Sequence, residues 1–133
     1  LLPLFLILIA VDQLSKRLAV FLSTSSDITI VHNTGVAFGV FGKFPFMVII
    51  ITLALLTTIV LFRKHFFNPN KWHSLSLEFI FAGGLGNLID RIFLGHVVDF
   101  IKLPLIPYFN LADVFINIGV LLYITGVFAK NDH

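Results

Sequence analysis

Three acids stand out in a chain otherwise short of charge: Asp90, Asp99 and Asp113. Only a short segment separates Asp99 from Asp113. Two carboxylates held close cannot both ionise easily, so they share a proton and their pKa values split. The ionised member takes a proton from water as that water attacks a peptide carbonyl, and the protonated member donates to the carbonyl oxygen. This acid–base hydrolysis needs neither metal nor cofactor, and none is expected. The same acids also admit a purely structural account, in which Asp99 caps or pairs locally with Lys102 and Asp113 pairs with Arg91.

Other polar residues fall at spacings that give them partners. Asn87 and Asp90 share a helix face by i,i+3 spacing. Asp90 can pair with Lys16, Arg17 or Arg91, which favours a structural or substrate-orienting role over catalysis. Asn110 precedes Asp113 by three residues and reads as an N-cap, or as a holder of the Asp113 carboxylate. Asp12 and Lys16 are spaced i,i+4 for an intrahelical ion pair that lowers the cost of charge in an apolar segment.

The elements that must position these residues are apolar. Hydrophobic residues make up 58% of the chain and charged residues 12%, against roughly 25% charged in soluble domains. With a mean hydropathy of +1.02, the 133 residues read as one integral-membrane domain, 1–133. Four segments approach the roughly 20 residues that cross a bilayer: about Leu1–Leu22, Phe46–Phe62, Leu75–Leu94 and Phe109–Phe128. The expected fold is an all-α membrane protein of four transmembrane helices. Ile28, Ile30 and Val31 read as a short strand, and Gly35, Gly39 and Gly42 punctuate a ribbon after it. A small extracytoplasmic β element is therefore expected between the first two spans. Leu103-Pro104-Leu105-Ile106-Pro107 reads as an apolar, kinked connector on the interface. Ala82 and Gly86 form a small-xxx-small pair suited to close helix packing.

Arg63, Lys64 and Lys71, with no acid among them, assign the loop between spans two and three to the cytoplasm. Both termini then lie inside, Trp72 sits at the inner interface, and Ser23–Pro45 and Gly95–Tyr108 lie outside. The chain opens on Leu1 rather than Met, so a short preceding cytoplasmic tail is expected. The first apolar stretch is not read as a cleaved signal peptide, because it runs into Asp12, Gln13, Lys16 and Arg17.

Several chemistries are excluded. The chain has no cysteine, hence no thiolate nucleophile or disulfide framework. It has no His-Glu-x-x-His, no Gly-x-Ser-x-Gly and no P-loop. His32 and His96 both fall on the outer side, but two scattered histidines do not make a metal site. A net charge of +2 without a basic, aromatic-interleaved run excludes nucleic acid as a partner.

Four stretches, taken in order, resemble the signatures of the signal peptidase II family. They are Asp12-Gln13-Leu14-Ser15-Lys16; Asn33 to Gly39; Gly83 to Arg91 continuing into Gly95 to Ile101; and Phe109-Asn110-Leu111-Ala112-Asp113. The resemblance covers nearly the whole chain. It implies four transmembrane helices, a periplasmic β-cradle and cytoplasmic termini in the bacterial cytoplasmic membrane. It implies an aspartic endopeptidase acting at the outer face on diacylglyceryl-modified prolipoproteins, cut just before the lipobox cysteine. Asp99 and Asp113 fall on the family's catalytic positions. Asn33, Asn87, Arg91 and Asn110 match pocket-lining or orienting positions. Asp12, Lys16, Gly35, Ala37 and Asp90 match signature positions with mostly structural roles. The partners implied are the lipidated substrate and membrane lipid, with the enzyme a monomer. Two departures are visible: the Asp99–Asp113 stretch is shorter than in many members, and Val114 stands where a small hydroxyl residue is common.

Three other readings are weighed beside this one. An inactive binding protein on the same fold would not need every signature acid and amide. A proton-conducting or transport bundle would spread polar residues through the bilayer depth, whereas span two is almost bare. A purely structural subunit would carry paired acids at needless cost.

Overall fold

The computed structural model describes residues 3–36, 40–67 and 69–129. Its element order is α1 (Leu4–Ser23), β1 (Val31–Asn33), α2 (Pro45–Phe66), α3 (Lys71–Leu94), β2 (Val97–Asp99), β3 (Ile101–Leu103), β4 (Ile106–Phe109) and α4 (Leu111–Phe128). The helix ends follow local chemistry. Pro45 opens α2 at a position where a missing N–H costs nothing. Arg63, Lys64 and His65 occupy its last turn, where cations face the negative end of the dipole. Asn70 caps α3 by accepting from the His73 N–H at 2.8 Å. Gly95 ends that helix at φ 78°, a left-handed conformation that glycine adopts without steric penalty. The first turn of α1 has no side-chain cap of its own. Instead Glu78 of α3 accepts from the Phe5 N–H at 2.7 Å, which satisfies a donor that hydrocarbon would leave bare.

The burial pattern is inverted relative to a soluble protein. α2 buries only Val48 and Leu56, and most of its other large apolar side chains are exposed, Phe46, Ile50, Leu55 and Leu61 among them. The buried residues include Asp12, Lys16, Ser76, Asn87, Asp90, Asp99 and Asn110. Apolar side chains turned outward and polar ones turned inward make sense only when the surrounding solvent is hydrocarbon. By length and composition α2 and α4 suit a membrane crossing, with mean hydropathies of 2.6 and 2.0. α1 and α3 reach 20 and 24 residues, and their buried charges Asp12, Lys16 and Asp90 point into the bundle.

α3 is central and packs against all three other helices. Its approach to α4 depends on Gly83, where a Cβ would run into the Ala112 carbonyl oxygen and the Ile116 side chain. Gly86, of the small-xxx-small pair expected to pack closely, also does so, since a Cβ there would meet the Asp12 carboxylate and Ala112.

The β structure forms two antiparallel pairs at one end of the bundle. β1 pairs with β2 in the register Val31↔Asp99, His32↔Val98 and Asn33↔Val97. β3 pairs with β4 across an irregularity between Ile101 and Leu103. Two local expectations need correction. The strand after α1 is Val31–Asn33; it does not begin at Ile28, because its partner β2 offers only three residues. The segment Leu103–Pro107 is not a kinked connector but the turn and flanks of the β3–β4 hairpin. Leu105 takes φ 65° at its tip, and the Lys102 ammonium donates to the Ile106 carbonyl at 2.7 Å.

Candidate active site

The capping box of α4 builds the first part of the site. The Asp113 N–H donates to Asn110 Oδ1 at 3.1 Å, and the Asn110 N–H donates to Asp113 Oδ2 at 3.1 Å. This reciprocal pairing satisfies two orphan donors and fixes the Asp113 carboxylate at the helix start. Asn110 therefore caps the helix and holds the carboxylate as well. Its side-chain N–H group is left to face away from α4, and it donates to Asp99 Oδ1 at 2.7 Å and Asn87 Oδ1 at 3.1 Å. One asparagine thus ties both acids together, through its backbone to Asp113 and its side chain to Asp99.

Two further amides complete the arrangement. Asn87, on α3, donates to Asp113 Oδ1 at 2.9 Å. Asn33, at the end of β1, donates to Asp99 Oδ2 at 3.1 Å. Asp99 is enclosed, with 2% of its surface exposed. Burial, and then the nearby charge of Asp113, push its carboxyl up to about 6, against the pull of the Asn33 and Asn110 donors. Among the described residues, the ion pairs join Lys16 to Asp12 and to Asp90. The structural alternatives for Asp99 and Asp113 are therefore not realised: Lys102 turns to its own hairpin, and the Arg91 guanidinium donates to the Gly35 carbonyl at 2.7 Å.

Asp99 and Asp113 open onto a cleft of about 850 Å³ that is also lined by Asn33, Asn87 and Arg91. Its walls continue onto Thr52 of α2, Gly84 of α3, Ile116 and Asn117 of α4, and Ile106 to Phe109 of the hairpin. Gly35 anchors the strand end twice, through Arg91 and through its own N–H to Asn33 Oδ1 at 2.9 Å. Ala37 lies outside the described residues, as does Gly39.

Asp12, Lys16 and Asp90 lie behind this cleft. Lys16 Nζ reaches Asp12 Oδ2 at 2.8 Å, Asp90 Oδ2 at 3.1 Å and Asn87 Oδ1 at 3.2 Å. Asp12 Oδ1 accepts from the Ala112 N–H at 2.9 Å, and Asp90 Oδ2 accepts from the Val98 N–H at 3.1 Å. The cluster links α1, α3, α4 and β2. Lysine only donates, so it turns the Asn87 oxygen toward itself and the Asn87 N–H group toward Asp113. Sequence reasoning left Gln13 without a role, yet it bridges Asp90 Oδ1 at 2.9 Å and the Gly86 carbonyl at 3.1 Å. Its i,i+3 spacing to Lys16 was the available signal.

The His32 and His96 rings stack at the end of the bundle that carries the strands, with centroids 4.1 Å apart. Burial, then the charge of His32, hold His96 below the usual histidine range. Among the described residues no three His, Cys, Asp or Glu side chains are grouped to hold a metal.

An outward-apolar helical bundle enclosing a cleft of acids and amides defines a membrane-embedded enzyme. The comparisons agree. A bacterial membrane enzyme solved by the in meso method at 2.3 Å superposes with a TM-score of 0.82 at 29% identity, covering 97% of this chain and 87% of that one. A second, solved at 1.9 Å, gives 0.75 at 32% identity over 93% and 89%. Lipoprotein signal peptidase of Thermodesulfovibrio yellowstonii is 42% identical, covering 90% of this chain and 88% of its own length. That of Streptococcus agalactiae is 30% identical over 96% and 91%. Residues 4–129 match the profile of the family described as Signal peptidase (SPase) II. The chain belongs to the signal peptidase II family and is a membrane peptidase.

Proposed function

We propose that this chain is an aspartic endopeptidase that removes the signal peptide from diacylglyceryl-modified prolipoproteins, cutting before the lipobox cysteine. It works as a single-domain monomer with four spanning helices in the bacterial cytoplasmic membrane, without a cofactor. The site faces the outer side. The basic α2–α3 connection, at the opposite end of these helices from Asp99 and Asp113, supports that orientation. The observation that carries the reading is Asn110, which binds both acids at once and turns them onto one cleft.

Water held between the two carboxylates attacks the scissile carbonyl carbon. Asp113, whose oxygens accept from Asn87 and from the Asn110 backbone, takes the proton from that water. Asp99, with its carboxyl pushed up to about 6, carries the shared proton and donates it to the carbonyl oxygen. In the second half the tetrahedral carbon re-forms its carbonyl and the C–N bond breaks. The amine leaves with the proton held by Asp113, and Asp99 recovers one from the collapsing hydroxyl. Asn33, Asn87, Arg91 and Asn110 orient the carboxylates and the strand above them. Asp12, Lys16, Gly35 and Asp90 hold the frame, and the same role is expected of Ala37. The substrate reaches the cleft by lateral diffusion, with its acyl chains in the membrane lipid.

The test is a gel-shift cleavage assay on a diacylglyceryl-modified prolipoprotein with the parent, Asp99→Asn and Asp113→Asn proteins. Loss of cleavage in both folded variants is expected. Substantial turnover in either would remove the two-acid assignment.

A further inference from the structure

Asn117 is a polar residue of the cleft that the chemistry above leaves unused. It lies on α4 four residues after Asp113, on the same helix face and about 6 Å further along the axis. The helix around it is apolar, with Ile116, Ile118, Val120 and Leu121 as neighbours. Asn117 is exposed and lines the cleft, and its amide has no partner among the described residues. Across the cleft, Thr52 of α2 spends its hydroxyl proton on the Val48 carbonyl. A bare amide in hydrocarbon is costly unless something passing that depth uses it.

We propose that Asn117 is a substrate-binding residue, and that it hydrogen-bonds the signal-peptide backbone just before the cut; this rests on the peptidase reading above. A signal peptide lies with its charged start inside and its cleavage site outside. The residues before the scissile bond are therefore deeper than the Asp99–Asp113 pair, on the side where Asn117 sits. To be cut, that stretch must unwind, and its freed N–H and C=O groups have no water to bind. An asparagine amide supplies both a donor and an acceptor. The offset from Asp113 equals about two residues of extended chain, which assigns the contact to the second or third residue before the cut. The competing ligand at this depth is the ester carbonyl of the diacylglyceryl group.

The test compares Asn117→Leu with the parent on two lipidated prolipoproteins, one with ester-linked and one with ether-linked acyl chains. Leucine matches the size and suits lipid, so thermal stability should hold or rise. The expected result is a KM raised about five- to tenfold with little change in kcat, equally on both substrates. An ester-to-amide exchange in reverse, a depsipeptide bond at the second or third residue, should weaken the parent and leave Asn117→Leu unaffected. Unchanged kinetics in Asn117→Leu would overturn the proposal. So would an effect seen only with ester-linked chains, which would assign the amide to the lipid, or a loss of folded protein, which would show an internal partner. If the folded parent itself cleaves neither substrate, the peptidase reading fails first and takes this inference with it.

Discussion

Two groups of carboxylates sit within a few side chains of each other and are treated oppositely. Asp12 and Asp90 are bridged by the Lys16 ammonium and further bonded to backbone N–H groups. Asp99 and Asp113 are met by three asparagines and by no cation within ion-pair distance among the described residues. A lysine pairs with a carboxylate and holds it in place. An amide aims it while leaving the proton free to move. The first group is suited to holding helices together in hydrocarbon, the second to passing a proton. Asn87 joins them, since its oxygen accepts from Lys16 and its nitrogen donates to Asp113.

Substitutions test this contrast most strongly at the unpaired acids. Asp99→Asn and Asp113→Asn should each lower cleavage by about a thousandfold or more while the protein stays folded, because an amide cannot cycle a proton. Lys16→Met should show the reverse pattern, losing about 3–5 kcal/mol of stability by stranding two buried carboxylates. Chemical denaturation in detergent measures it, and a Lys16→Met protein as stable as its parent would break the contrast. Asp90→Asn should act in the same direction and more weakly, with turnover per folded molecule retained.

A third effect is set by pH. The Asp99 carboxyl titrates near 6 in the folded protein and near 4 unfolded. Between those values the folded state binds more protons, so stability falls as pH rises through that window. Relative to Asp99→Asn, the parent should lose about 2 kcal/mol between pH 4 and pH 7. Parallel melting curves for the two proteins across that range would contradict the raised value. The smallest expected effect is that of Asn33→Ala, which removes a donor that favours ionised Asp99. Its alkaline limb in kcat/KM, where Asp99 loses the proton it donates, should move upward by about one pH unit, and an unshifted profile would mean that Asn33 acts on something else.

Much of this was readable one element at a time. The outward-facing apolar residues of α2 follow from composition. The Asp12–Lys16 pair follows from i,i+4 spacing within one helix, and the Asn110 cap from its place before an apolar run. These are local relations, and the backbone geometry of a helix alone sets them. What spacing could not choose was between partners on different elements. Asp90 had Lys16, Arg17 and Arg91 as options, and Asp113 had Arg91. The packing of α1 on α3 gave Asp90 to Lys16, and Arg91 turned instead to the Gly35 carbonyl. The hairpin at Leu103–Pro107 was missed because its pairing needs a positive φ at Leu105, a residue with no turn preference.

By itself the sequence determined the medium, the helices and the short list of acids and amides, since hydrophobicity and helical period are properties of neighbouring residues. Only the tertiary structure decided which acids met a cation and which met amides. That choice depends on close approach between helices, such as α3 reaching α4 at Gly83, and on β1 crossing to β2 to bring Asn33 to Asp99. Contacts between residues so far apart in the chain leave no periodicity to read.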